Sequence, residues 1–471
     1  MLILLAIGIS AMAQNERDAF RYAQYSPTGT ARYSALAGSM GAFGSDFSCL
    51  SAGNPAGIGL FKRVEFTLTP ALSFNRSSAV YNGEEQTGAK SIFGINNLGI
   101  VFVGTNKTGA WKNIQFATGL NNLARYDELS FVSGQNEEAT SFFDYVAGQA
   151  DGSLSEFADK ALKSKLIGVQ NDDYYSLVDA NFNQEQIKKT SGYLNEYVFS
   201  LGSNYDDKLF LGATLGIPFF RYYQKTNYAE SRNPFYDSLF VFDEFNAKAT
   251  GINLKFGIIY QPVTYLRLGV AFHTPTLYPK VKENYLSTLC IDVWNISTDS
   301  GKSIWNGGDG ETSYFNYRLR TPYHAMANIA FIYRDKGFIN LDYEYVDYTV
   351  SELQSETHSF ANENVAIRKY YKGSHTIRVG GEYNLSPLVL RLGYAYSSNP
   401  YDKEELKKDG SRHIVSAGIG FKTKSFFADF AYMYRFSKDK DVFYAHSSIN
   451  PYTNQMVNQL FALTIGWKLK M

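Results

Sequence analysis

The sequence predicts an all-β protein, a single closed, fourteen-stranded antiparallel β-barrel that crosses an outer membrane. Three observations predict it. Beyond residue 63, fourteen stretches carry strand signals, and most alternate with the period of two that sends successive side chains to opposite faces of a sheet. The connections between those stretches are alternately short and long. One strand face is rich in Leu, Phe and Tyr, while the other carries Arg267, Asp342, Glu344, Arg378, Glu382, Arg391, Asp429 and Arg435.

The chain opens with an apolar run over residues 2–9, followed by Ser10-Ala11-Met12-Ala13. Small residues at 11 and 13 fit a cleavage site, and the run is too short to span a bilayer, so residues 1–13 read as a signal peptide. No later segment approaches ~18 consecutive apolar residues, so helical spans are not expected. Residues 14–62 are irregular. The stretch "GSDFSCLSAGNPAGIGLFK" packs small residues around Asn54, Pro55, Ala56 and Gly57. It is too loose for a helix and too Gly-rich for a core strand, and by itself reads as an Asx/Pro turn ahead of the first strand.

The strands are expected over residues 64–74, 91–105, 110–126, 193–205, 208–226, 246–262, 263–275, 314–334, 337–351, 367–384, 388–398, 411–423, 425–437 and 456–470. In the last, Phe461, Leu463, Ile465, Trp467 and Leu469 share one face and Ala462, Thr464, Gly466, Lys468 and Lys470 the other. A soluble sandwich would alternate in the same way, so the connections carry the distinction. Tight turns fall at Asn106-Lys107-Thr108-Gly109, Asp206-Asp207, Gln261-Pro262, Asp335-Lys336, Leu385-Ser386-Pro387 and Thr423-Lys424. The intervening links, 75–90, 127–192, 227–245, 276–313, 352–366, 399–410 and 438–455, are long.

Lipid offers no partner for backbone N–H and C=O groups, so a spanning sheet must close on itself. Its inner turns can be tight while its outer loops grow. The eight charges named above then face a lumen expected to be too wide to pack dry. In a sandwich each would be buried at a cost of several kcal/mol. Within 127–192, Leu154, Phe157, Ala158, Ala161, Leu162 and Leu166 recur at helical spacing. That helix either packs on the barrel rim or offers an external hydrophobic groove built from Leu154, Phe157, Leu162 and Leu166.

The charge balance, 45 basic against 45 acidic residues, leaves no basic stripe for nucleic acid. Cys49 and Cys290 give neither a metal spacing nor a disulfide framework, and the six histidines are scattered. No nucleophile elbow or phosphate-binding loop occurs. The sequence therefore points to no enzyme, metal or cofactor. The 36 Tyr, 35 Phe and 39 Gly suit many strands with aromatic surfaces and close backbone approach.

The segment "ARYSALAGSMGAFGSDFSCLSAGNPAGIGLF" resembles the N-terminal part of the FadL/TodX family of outer-membrane channels for hydrophobic compounds, with Asn54, Pro55 and Ala56 matching its Asn-Pro-Ala motif. The stretches "GINLKFGIIYQP", "LRLGVAFHTPT" and "LRLGYAYSSNP" are also similar. The resemblance implies fourteen strands, a hatch made by residues 14–62 inside a barrel of residues 63–471, and passive import of long-chain fatty acids or aromatic hydrocarbons. It also implies sideways release where the third strand kinks, which Gly119, Asn121 and Asn122 would permit. The expected surroundings are a hydrophobic ligand and outer-membrane lipid in a Gram-negative cell, with the protein acting as a monomer. A porin for polar solutes and a surface-adhesion barrel are the competing readings. One departure from the usual barrel is the ending "KLKM", which lacks a terminal aromatic residue.

Overall fold

The computed structural model describes residues 16–106, 109–136, 141–148, 156–163, 165–171, 173–178, 182–232, 238–293, 303–306, 312–402, 410–444 and 450–469. The expected signal peptide lies outside the described residues. Fourteen strands form the wall: β1 (Val64–Tyr81), β2 (Glu84–Thr105), β3 (Trp111–Arg125), β4 (Phe182–Tyr205), β5 (Leu209–Ser231), β6 (Ser238–Thr250 and Asn253–Val263), β7 (Leu266–His273 and Leu277–Val293), β8 (Ser313–Arg320 and His324–Tyr333), β9 (Gly337–Asp347), β10 (Gly373–Leu385), β11 (Leu388–Ser397), β12 (Arg412–Lys422), β13 (Phe426–Asp441) and β14 (Tyr452–Leu469). Each pairs antiparallel with the next, and β14 returns to β1 from Val64↔Leu469 to Val80↔Thr453. Closure joins the last strand to the first, as a bilayer requires of a spanning sheet.

The faces divide as the alternation dictates. On β14, Leu463, Trp467 and Leu469 are exposed while Ala462 and Thr464 are buried. Around the wall Phe93, Leu201, Phe331, Ile339 and Leu392 project outward, Leu392 with 69% of its surface exposed. In water such a belt would aggregate; in lipid it is the matching solvent.

Several expectations about the strands change; β5 and β6 take most of the expected 227–245 link, and residues 367–370, expected to open a strand, end a helix over Ala361–Tyr370. The link at 75–90 is no loop, because β1 and β2 stay paired to Tyr81↔Glu84 and turn through Asn82 and Gly83. Both turn residues have positive φ, 44° and 88°, as a tight hairpin of the right twist demands. Polar residues such as Asn75, Ser77, Glu85 and Gln86 imitate a loop because a strand standing outside the membrane needs no oily face. The Asn-Gly pair was the signal for the hairpin.

β7 does not stop at 275. It resumes at Leu277 and runs to Val293, with matching breaks in β6 at 251–252 and in β8 at 321–323. Pro275 and Pro322 carry no N–H, so the ladder lapses beside them and resumes further out. Thr276 and Thr321 bridge the gap, main chain to side chain and main chain to main chain, each at 3.0 Å.

The long link at 127–192 is also shorter than expected. Residues Glu128–Asn136 form a strand that pairs with the outer half of β4, from Glu128↔Thr190 to Asn136↔Phe182. Beyond it lie two short helices, Phe142–Gly148 and Glu156–Lys163, and a small hairpin of Ile167–Gln170 with Asp173–Ser176. Phe142, Phe143, Val146, Ala158, Ala161 and Leu166 enter one core with Tyr81, Tyr228, Leu239 and Phe443, so this region folds down onto strands from several sides of the barrel.

Candidate ligand pathway

Residues 16–62 lie within the ring of strands. They form three short helices, Glu16–Arg21, Ala31–Ala35 and Cys49–Ala52, and a 3-10 turn, Pro55–Leu60. Hydrogen bonds tie them to inward groups around the wall. Gln115 of β3 donates to the carbonyls of Gly59 and Phe61, Ser39 donates to the carbonyl of Asn340 in β9, Ser416 of β12 donates to the carbonyl of Ala35, and the Ala31 N–H donates to Thr464 of β14.

The four motif residues sit together against β5–β8. Asn54 is extended, and its Oδ1 accepts from the Ala56 N–H at 3.0 Å, capping the turn that Pro55 begins. Its Nδ2 reaches the carbonyls of Ile258 and Val270 and Oδ1 of Asn328, each at 3.2 Å. One amide therefore holds three strands. The wall makes room with glycines. A Cβ on Gly212 would lie 2.2 Å from the Pro55 carbonyl oxygen, and one on Gly257 would lie 2.0 Å from Asn54 Oδ1. Gly257→Val is therefore expected to dislodge the motif and raise ion leak in planar bilayers. Conductance equal to wild type would show that the motif tolerates a side chain there.

The eight lumen charges all point inward, and at this level the bore is packed rather than wet. Arg391 has no exposed side-chain surface. Glu382 gathers three cations: Arg32 through Nε at 2.8 Å, Arg391 at 2.7 Å and Lys422 at 3.0 Å. Arg391 also meets Asp429 at 2.6 Å. Glu344 holds Arg378 and His324, and Asp342 accepts from the Gly41 N–H, Asn328 and Asn340. Arg267 donates to the Phe43 carbonyl and Arg435 to the Ser26 hydroxyl. The expectation of a bore too wide to pack dry fails because the N-terminal segment supplies the missing partners. Within that segment burial pushes the Asp46 carboxyl above the usual range, against the pull of Arg32, and pushes the free Cys49 thiol up as well.

Several inward groups escaped the sequence reading. Lys255 and Glu196 form a fully buried ion pair, and Lys255 also donates to the Ser51 carbonyl at 2.6 Å. His273 reaches the Gly53 carbonyl at 2.8 Å. The signal for Lys255 was parity: Leu254 and Phe256 on either side face lipid, so the residue between them must face in.

On the outer side of the N-terminal segment lies a cavity of about 300 Å³. Arg21, Arg125, Lys188, Arg412, Arg435 and Asp441 are among its lining. Lys188 pairs with Asp441 at 3.4 Å. Arg125, Arg412 and Arg435 have no carboxylate partner within ion-pair distance among the described residues, although Asp127 and Glu128 stand nearby. Tyr222, Tyr371 and Tyr401 add aromatic surface.

The wall beside this cavity is incomplete. The β2–β3 ladder runs from Thr105↔Asn113 to Asn97↔Asn121 and stops there. From Asn96 outward, β2 pairs with β1 alone, while β3 bulges between Asn122 and Ala124 and turns inward. Its continuation passes across the inner side of β1, where Ser77 donates to the Leu129 carbonyl at 2.6 Å. Asn121 is the last paired residue and also reaches Ser51, and Asn122 sits at the bulge bonded to Asn195. Gly119 has a different part. It lies in the intact ladder, where a Cβ would strike the Leu98 carbonyl and the Phe47 ring. The missing side chain serves the docking of Phe47, not the kink.

The helix expected to offer an external groove is consumed by packing. Leu166 is buried and Leu162 partly so, within the core that includes Phe142 and Phe143. Leu154 and the side chain of Phe157 lie outside the described residues.

A closed barrel with an oily exterior and its own first segment folded into the bore is an integral outer-membrane protein. The family model described as outer membrane protein transport protein (OMPP1/FadL/TodX) matches residues 222–459, half of the chain, and the chain belongs to that family. Its place is the outer membrane of a Gram-negative cell, in a family of transport proteins for hydrophobic compounds rather than of enzymes. Among solved structures, a FadL homologue of Pseudomonas aeruginosa is similar at 14% identity and a TM-score of 0.60, over 95% of this chain and 100% of that one. The toluene transporter TodX of P. putida is similar at 11% identity and 0.52, over 96% and 100%. At such identities the likeness is one of fold. No curated protein matches the sequence.

Proposed function

We propose that the protein passively imports hydrophobic small molecules that carry an anionic head, long-chain fatty acids in preference to aromatic hydrocarbons. Residues 16–62 act as a plug, and cargo leaves sideways through the wall. The observation that carries this reading is the cavity: Ala124 and Arg125 line it just past the point where β3 leaves β2, and among the described residues three of its guanidiniums have no carboxylate within ion-pair distance. A bare hydrocarbon would leave those charges with neutral acceptors alone, whereas a carboxylate forms charge-assisted hydrogen bonds with them. The plugged bore argues against a general porin, because a polar solute has no straight aqueous path.

Lateral release has a physical drive. A chain that passes into the bilayer rather than the periplasm gains about 0.8 kcal/mol per CH₂ kept out of water. Deleting Leu123, the bulged residue, is expected to let β3 rejoin β2 and to stop uptake of labelled oleate into cells while the barrel still inserts. Uptake at the wild-type rate in that variant would rule out the seam as the exit. Toluene uptake faster than oleate uptake in the parent protein would rule out the anionic head.

A further inference from the structure

The outer ends of β5, β6 and β7 carry a row of cations on their outward face. Strand parity turns Arg221, Lys248 and Lys282 outward, since Phe220 and Tyr222, Ala247 and Ala249, and Val281 and Glu283 on either side of them are buried. Register sets the three side by side: Arg221 lies opposite Lys248, and Lys248 opposite Lys282. Directly opposed residues on neighbouring strands stand about 5 Å apart at Cβ, and like charges there repel. The cations that flank the row are matched, Lys225 with Glu244 and Arg320 with Glu352, each at 2.9 Å. Among the described residues no carboxylate lies within ion-pair distance of Arg221, Lys248 or Lys282. Lys280, also outward and exposed, adds a further unmatched charge.

The row stands just past the apolar belt. On β6, Ile252, Leu254, Phe256, Ile258 and Tyr260 all face out and are exposed, which fills the ~9–11 residues of one crossing. Lys248 comes about 13 Å further along the strand than Ile252. Lys282 follows Leu277 in the same way, and Arg221 follows Phe219. That is the level of the lipid headgroups, which long basic side chains reach with their stems on the oily surface. Elsewhere the rim differs. Among the described residues the outward positions of β9 to β12 hold no Lys or Arg, and near their outer ends they carry the hydrogen-bonded pairs Tyr343–His375 and Tyr394–His413. We propose that the row on β5–β7 binds the phosphates of lipid A, the phosphorylated glucosamine lipid of the outer leaflet, and so holds a lipopolysaccharide molecule against this arc of the wall. A phosphate accepts charge-assisted hydrogen bonds from several cations at once and turns their mutual repulsion into a shared attraction. The acyl chains then lie on the oily surface of Phe219, Ile252 and Leu277 below.

Binding of lipid A to the detergent-solubilised full-length protein tests this. The parent protein is expected to prefer bis-phosphorylated lipid A over its dephosphorylated form by about a hundredfold, roughly fivefold for each of three cations near an anionic head. With Arg221→Gln, Lys248→Gln and Lys282→Gln combined, that preference is expected to vanish. Lys208→Gln, Lys336→Gln and Lys424→Gln combined remove the same charge from the tight inner turns and are expected to keep it. An equal loss in both triple variants would reduce the effect to net charge and overturn the site. So would a parent protein that binds the two lipids alike. Displacement of lipid A by inorganic phosphate or oleate at equal concentration would make the row a site for any anion and would also overturn the proposal.

Lys248→Glu separates lipid binding from loss of fold. A carboxylate between Arg221 and Lys282 supplies the missing counter-charge, so the lipid-free variant is expected to keep its folded gel migration to at least the temperature of the parent. Its preference for phosphorylated lipid A is expected to fall about twenty-five-fold, one cation lost and one anion gained. Lipid A should raise the unfolding temperature of the parent and leave that of the variant unchanged. An equal rise in both would overturn the proposal. A lipid-free variant that unfolds below the parent would show that the three cations do not oppose one another, and the reason for the site would be gone. None of these readouts depends on what the protein transports.

Discussion

Removal of residues 16–62 is expected to convert a barrel of low conductance into an open pore. The segment fills the bore through contacts on every side: Asn54 on β6, β7 and β8, Ser39 on β9, Arg32 on β10 and Ala31 on β14. Nothing else among the described residues occupies that level. A barrel of this size is too wide for its own side chains to close, so water would enter where the segment had been. Planar-bilayer recording of the shortened protein gives the answer directly. A conductance no higher than that of the parent would mean that the loops above, with their core around Phe142 and Phe443, form the true barrier.

The second large effect is expected at Glu382. Its carboxylate is the shared partner of Arg32, Arg391 and Lys422, and its side chain is only 3% exposed. Glu382→Ala would leave Arg391 with Asp429 alone and Arg32 with no carboxylate within ion-pair distance. Leaving buried charges uncompensated costs on the order of 3–5 kcal/mol. The variant should therefore lose its folded migration at a clearly lower temperature in a heat-modifiability gel. High salt should not rescue it, because a pair sealed from water is screened little. Among the described residues, Arg32–Glu382 is the one ion pair that residues 22–62 make with the wall, so the same variant should also loosen the plug and raise leak. Unfolding at the wild-type temperature would show that water reaches the cations and compensates them.

The two predictions differ in what the sequence could supply. Inward orientation of Glu382, Arg391 and Asp429 follows from strand parity, which needs only the alternation of faces. Their pairing with one another depends on register between neighbouring strands, and Arg32 lies 350 positions away from its partner in the chain. Nothing local in "ARYSALAG" tells that arginine which wall it will meet. Gly119 shows the same limit: its small size was legible, but its reason, the ring of Phe47, came from a segment with no sequence proximity.

Strand number, closure, the oily outer face and the identity of the inward charges were determined by the sequence itself, because period two and the tight inner turns are local properties that lipid makes obligatory. What only the tertiary structure decided was how the interior is used. The first segment turned an expected wet lumen into a packed one, prolines in neighbouring strands aligned their breaks, β3 left β2 at Asn121, and Arg412 and Arg435 met the same few residues of the plug. Each of these depends on which distant groups face one another across the bore, and that is fixed by closure and register, to which residues near in sequence carry no guide.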